Sequence, residues 1–394
     1  MNNFFRSNIF STGLAIFSML FGAGNLIYPL KAGMISGQHF AVGFTAFGIT
    51  AIILPLLGLV SMILFDGDYY AFFGRLGRYA GGFFIFLCML IIGPLIAIPR
   101  IVTLSHAMLA PFMGGLWLSH INIVTSFIFS LLFLGITFAL TYRENKIVDL
   151  VGKYISPALL GSLLIIIIKG FMTGSSIIMT PESTASVVKK NLMLGYETLD
   201  LLGTIFFCSI VLHILRNTMD IQFERNHRYR AIVGLKAGLI GVSLLAIVYI
   251  GMSLIALYHG HGLDASSGQL FSNLSFKVMG GHGAIVVAVA VFMACLSTSI
   301  ALTAVVAEYI QEEVFLNKVS YITGLSLVCL LSIPLSTMGL DGVLALTGGP
   351  LVYILYPTLI ALTLCNIAYK LFGFNYVKLP VLATFIFSLV SYWL

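Results

Sequence analysis

The sequence predicts an all-α polytopic membrane protein of about eleven transmembrane helices, two of them broken near mid-depth. Three observations carry this. The chain is 59% hydrophobic and 9% charged, with mean hydropathy +1.06, where a soluble domain averages about 25% charged residues. Apolar runs of the ~20 residues needed to cross a bilayer recur along the chain, without the short alternating segments of a β-barrel. Two of these runs carry glycines and polar groups where a helix should be most regular. The balance of +6 then marks loop charges of a membrane protein and gives no ground for a nucleic-acid partner. The five cysteines lie in apolar stretches without C-x-x-C spacing and read as small buried hydrophobes.

Taken in order, the spans are expected near 9–35, 40–65, 80–110, 117–140, 148–169, 191–215, 231–257, 281–307, 319–336, 340–367 and 377–394. The first run is too long for a secretory h-region and lacks a small-residue cleavage site, so it is expected to remain as a span. The longest connections, 170–190 and 258–280, are rich in Ser, Thr and Gly and read as external loops or short surface helices. No soluble domain is inserted, which leaves one transmembrane domain over 1–394. Of the 20 Lys and Arg, Arg100 and Lys236 lie within spans. With the N-terminus inside, Lys31, Lys169, Lys189, Lys190 and Lys277 fall outside and the other thirteen inside. That asymmetry predicts a cytoplasmic N-terminus.

Span one contains 18-SMLFGAGNLIYPLKAG-33. Gly costs about 1 kcal/mol and Pro about 3 kcal/mol against Ala in a helix interior, and Pro29 also removes a donor. Freed backbone groups in hydrocarbon survive only where they line a polar cavity or meet a ligand. Ser18, Gly22, Asn25 and Pro29 follow i, i+4, i+7, i+11, one stripe facing protein. A small-residue packing face is the plainer reading of the glycines; Asn25 and Pro29 favour a broken helix that lines a ligand site.

If the repeat unit is five spans, the partner of span one is span six, which opens 191-NLMLGYETLDLLGTIFF-207. Gly195, Glu197, Thr198, Asp200 and Gly203 crowd into nine residues there. Charges inside a span default to function, although Glu197, and to a lesser degree the deeper Asp200, also fit a solvated outer interface. Span eight carries 292-FMACLSTSIALTAVVAEYI-310, with Ala294, Ser297, Thr298 and Ala301 at i, i+3, i+4, i+7. Two neutral hydroxyls on a small-residue stripe suit a hard cation such as sodium; taken alone, the plainer reading is that they bond to their own helix. Arg100 in span three reads as a gate or substrate contact, or as an Arg holding helices through Glu197, Asp200 or a carbonyl. His259 and His261 lack a third ligand for a metal. No transition-metal site, cofactor or catalytic set is expected, and a channel or a membrane enzyme is disfavoured for want of a filter or a clustered acid–base group.

The strings FGAGNLIYP, 93-GPLIAIPR-100 and 195-GYETLD-200 resemble the bacterial branched-chain amino acid:cation symporters, from span one through span ten. Tyr28 stands where Phe is more usual in that family. The resemblance implies a LeuT-type fold of five-plus-five inverted repeats, here about 9–169 and 191–367 with an extra helix near 377–394. It implies twelve spans where eleven are counted. It further implies uptake of leucine, isoleucine and valine across the cell inner membrane, coupled to sodium or to protons, by alternating access. By the same analogy sodium would be held by the carbonyls of Ser18, Phe21 and Ala294 and the hydroxyls of Ser297 and Thr298. The substrate carboxylate would meet N–H groups at Ala23, Gly24 and Asn25, and span six would contribute from Tyr196 through Thr198 to Gly203, with the amino group near its opened carbonyls. Asn25 could offer its amide oxygen to a second cation. Apolar walls from spans three, six and eight would take the branched side chain. Membrane lipid is the expected surrounding partner, and these motifs do not specify an oligomeric state.

Overall fold

The computed structural model describes residues 2–113, 117–143, 151–174, 176–218, 227–264, 268–280, 283–339, 342–343 and 351–393. All regular structure among them is helical. Span one is two helices, α1 (Asn2–Leu20) and α2 (Ala23–Ser36). Span two runs from α3 (Phe40–Gly48) through a wide turn into α4 (Leu54–Leu64). A short α5 (Tyr69–Gly74) leads to span three, made of α6 (Arg78–Leu90) and α7 (Ala97–Leu109). Spans four and five are α8 (Ile123–Thr141) and α9 (Ser156–Met172). Span six is α10 (Thr184–Glu197) and α11 (Asp200–Thr218), and span seven is α12 (His227–His259). After α13 (Leu270–Met279) come α14 (Ala284–Tyr309), α15 (Tyr321–Ser336), α16 (Tyr356–Phe372) and α17 (Lys378–Trp393), spans eight to eleven. Eight apolar helical stretches are long enough to cross a membrane, and three shorter apolar helices at Ile9–Leu20, Tyr321–Ser336 and Lys378–Trp393 accompany them. Parts of the expected spans five, eight and ten, at 148–150, 281–282, 340–341 and 344–350, lie outside the described residues.

Two boundaries differ from the sequence expectation for a local reason. Span four begins at Ile123 because Asn122 and Thr125 form a reciprocal cap, each side chain 2.9 Å from the other's backbone N. Span six begins at Thr184, inside the stretch read as a loop, because the Ser183 hydroxyl accepts from the Ser186 N–H. Pro29, counted with Gly22, Gly24 and Asn25 against a regular helix, sits inside α2. The interruption falls seven residues earlier, at Phe21–Gly22, where Gly22 adopts an extended conformation. The Pro29 carbonyl accepts a 2.7 Å bond from Ser253 of span seven. The stripe expected to face protein is also wider than one face, since every residue from Phe17 to Leu30 is buried.

Packing is reciprocal. Both halves of span one lie against span seven, while α10 lies against α3 and α11 against α4 of span two. Span eight packs on spans three, four, five and nine. The two broken spans therefore occupy the centre, and the scaffold around them supplies the apolar burial that a lipid-facing broken helix would lack.

Candidate functional site

Residues beside three interruptions line one cavity. In span one the Phe21 N–H bonds to the Phe17 carbonyl and the Gly22 N–H to the Leu20 carbonyl, after which α2 starts afresh without a side-chain cap. In span six Thr198 and Leu199 separate two helices, and Leu199 holds φ +63°, a conformation costly for a side chain of this bulk. In span three Gly93 is non-helical and Ile96 sits at φ −135° before α7 begins. Each break presents half-helix ends, with N–H groups toward an anion and carbonyls toward a cation.

A single cavity opens between them, lined by Gly22, Ala23, Gly24, Asn25, Arg100, Thr198, Asp200, Gly203 and Thr298, with Met19, Leu20, Ile92, Ala97, Ile101, Leu199, Phe207 and Leu302 as its apolar wall. Ala23, Gly24, Asn25, Thr198 and Gly203, named from sequence for the substrate, are thus brought together. Tyr196 is not; its ring lies 5.2 Å from that of Tyr356, outside this lining. The carbonyls at the end of α10 already carry partners. The Gly195 carbonyl accepts from Thr198 Oγ1 at 2.8 Å, Tyr196 from the Leu199 N–H at 3.1 Å and Glu197 from Arg100 Nη1 at 2.8 Å.

On the other side of the span-one break, Ser297 Oγ donates to the Ser18 carbonyl at 2.8 Å and approaches the Ala294 carbonyl at 3.1 Å. Thr298 Oγ1 reaches the Met19 carbonyl at 3.1 Å. Ser18, Ala294, Ser297 and Thr298 therefore converge, joined by Met19, which sequence reasoning did not name. All the atoms are neutral oxygens from two helices, a donor set that fits a hard monovalent cation. Phe21 neighbours the cluster in the chain, and its recorded bond is through its own N–H. Gly22 packs against Thr298: a Cβ at Gly22 would lie 3.0 Å from Thr298 Oγ1.

Asp200, 3% exposed, is the first residue of α11, where a carboxylate is favoured by the helix start. Asn25 Nδ2 donates to both its oxygens, at 2.9 and 3.0 Å, and the Tyr249 hydroxyl donates to Oδ2 at 2.8 Å. Asn25 Nδ2 also contacts the Tyr249 hydroxyl. Tyr249 and Tyr356, whose hydroxyl accepts from the Leu201 N–H at 3.0 Å, were missed. The signal available was a hydroxyl pair, Tyr249 with Ser253 one turn on, in a span, 231–257, whose other polar side chains are Lys236 and Ser243.

Arg100, in the first turn of α7, is 4% exposed. Besides its bond to Glu197, its guanidinium lies 4.9 Å over the Tyr28 ring, an attractive arrangement. Nη2 has no hydrogen-bond partner and abuts Gly24, where a Cβ would run into it. Arg100 thus bonds span three to span six through the Glu197 carbonyl and lies on the Tyr28 ring of span one, while lining the cavity. Glu197 is half-buried at the end of α10. His259 and His261 do not converge: they engage the Gly170 and Ser176 carbonyls separately. No group of three metal-ligating side chains occurs among the described residues.

Comparison with known proteins places this geometry. The model of a family described as branched-chain amino acid transport protein matches residues 5–393. A branched-chain amino acid permease, BraB, of Bacillus subtilis is 29% identical over 365 residues, 91% of this chain and 80% of that protein. A putative branched-chain amino acid carrier protein of Staphylococcus epidermidis is 31% identical over 379 residues, 91% of this chain and 81% of that one. Among solved structures, a substrate-bound, outward-open Na+-coupled sialic acid symporter superposes with TM-score 0.56 at 12% identity, covering 97% of this chain and 90% of that one. A manganese transporter of Eremococcus coleocola gives 0.62 at 16% identity, covering 98% and 87%. A nucleobase-cation-symport-1 family transporter in a closed conformation gives 0.56 at 17%, covering 97% and 91%. At these identities the likeness is one of fold, the LeuT-type helical transporter.

Proposed function

The chain belongs to the branched-chain amino acid transport protein family, and from that membership we propose that it is a symporter that imports leucine, isoleucine and valine across the bacterial inner membrane with sodium. The observation that carries the reading is the meeting of two broken helices at one cavity, with neutral oxygens of spans one and eight beside it. The substrate carboxylate meets N–H groups at the start of α2, and the branched side chain lies against Ile92, Ile101, Phe207 and Leu302. A methylene in such a wall is worth about 1–3 kcal/mol, enough to select the aliphatic class. Sodium at Ser18, Ala294, Ser297 and Thr298 braces α1 against span eight and favours one state of the cycle. Coupling is the difference in ligand affinity between the two states. The N-terminus is cytoplasmic, on the Lys and Arg asymmetry of the loops.

The test is uptake of labelled leucine by purified protein in liposomes, under a sodium gradient and then under a pH gradient alone. Accumulation that requires sodium and is competed by isoleucine and valine is the expected result. Accumulation driven by the pH gradient without sodium overturns the choice of ion, and competition only by unrelated amino acids overturns the substrate class.

A further inference from the structure

Resting on that reading, we propose that the cavity selects the zwitterionic head of its substrate with two charged side chains, Arg100 taking the carboxylate and Asp200 the ammonium. Arg100 and Asp200 are opposite charges, each at least nine-tenths buried, that line one cavity. Yet their recorded partners are other groups: a carbonyl and a ring for Arg100, an amide and a phenol for Asp200. Buried charges at membrane depth are expensive unless paired. Two that share a cavity without joining can each be matched by a ligand carrying both complementary charges.

The two ends are distinguished by geometry. Arg100 Nη2 is unpartnered and touches Gly24 at the uncapped start of α2. An anion there gains the guanidinium and the helix N–H groups together. At the other end, the carbonyls of Gly195, Tyr196 and Glu197 each already accept a bond, and Asp200 is the acidic side chain in the cavity lining, the acceptor matched in charge to an ammonium. It accepts from Asn25 and Tyr249 and retains acceptor capacity, since a carboxylate offers about four lone-pair sites.

The experiment measures inhibition of labelled leucine uptake in proteoliposomes by leucinamide, which lacks the carboxylate, and by isocaproate, which lacks the ammonium. For the unaltered protein each analogue is expected to inhibit at least about 100-fold less well than leucine, because a site built to bond a group rejects ligands without it. Arg100→Gln is expected to cut leucine affinity about tenfold or more while leaving leucinamide nearly unaffected, with Arg100→Lys restoring part of the discrimination. Asp200→Asn is expected to erase discrimination against isocaproate. Inhibition by either analogue within about threefold of leucine overturns the proposal, and this arm needs no variant to fold. Parallel loss of leucine and analogue affinity in the variants overturns it in favour of a structural role. An altered sodium requirement for Asp200→Asn, with head-group discrimination intact, assigns that carboxylate to the ion instead. If another amino acid is transported and leucine is not, the branched-chain reading fails, and that amino acid with its amide and deaminated form decides the head-group proposal.

Discussion

Ser297 and Thr298 show how much a single hydroxyl carries here. They donate to the Ser18 and Met19 carbonyls at the end of α1, and both hydroxyls, with the Ser18 carbonyl, are proposed to meet sodium. Thr298→Ala is therefore expected to raise the sodium concentration for half-maximal uptake about tenfold, while uptake at saturating sodium and the amount of folded protein stay near normal; a sodium titration of leucine uptake reads this. Gly24→Ala acts on the opposite side. Its methyl would displace the Arg100 guanidinium, so the apparent leucine affinity should fall about tenfold or more with the sodium requirement little changed. Tyr249→Phe removes a donor from a buried carboxylate and should cost about 1–3 kcal/mol of stability, measured as an earlier melt in detergent. Asn25, Asp200 and Arg100 were legible in the sequence because each is costly in an apolar run. Tyr249 was not, because a tyrosine is at home in a membrane helix and only its distant partner gives it a role.

At the scale of elements, the breaks are set by different devices. Span one is interrupted by the extended Gly22, whereas span six turns through Leu199 at φ +63°. Leu199→Val puts a β-branched side chain in that left-handed conformation and is expected to cost about 1–2 kcal/mol, seen as a lower melting temperature; Leu199→Gly should be tolerated. The existence of both breaks followed from the cost of glycine and polar groups in hydrocarbon, but their positions did not. Pro29 continues α2, which packs against span seven with Ser253 bonding the Pro29 carbonyl. The third interruption, at Gly93–Ile96, was present as Gly-Pro-x-x-x-x-Pro-Arg and was read only as a family signature. Helix starts at Ile123 and Thr184 depended on caps at Asn122 and Ser183, which apolar run length does not register.

For the whole molecule, a central pair of broken spans held by a reciprocal scaffold suits rocking of one bundle against the rest. Thr198 lines the cavity and is buried. In a Thr198→Cys protein that also carries Cys365→Ser, sodium is expected to speed labelling by an impermeant thiol reagent from outside about threefold or more, and leucine to protect. The remaining native cysteines are buried. The class was legible because composition alone sets the solvent; the cavity was not, because it joins residues of spans one, three, six and eight that only packing brings together.

The most direct measurement is an experimental density map of the purified protein with leucine and sodium. The expected map has both helices interrupted at Phe21–Gly22 and Thr198–Leu199, leucine between the two breaks with its carboxylate at the start of α2, and an ion among Ser18, Ala294, Ser297 and Thr298. Spans one and six running unbroken through the bilayer, or leucine bound away from both interruptions, would contradict it.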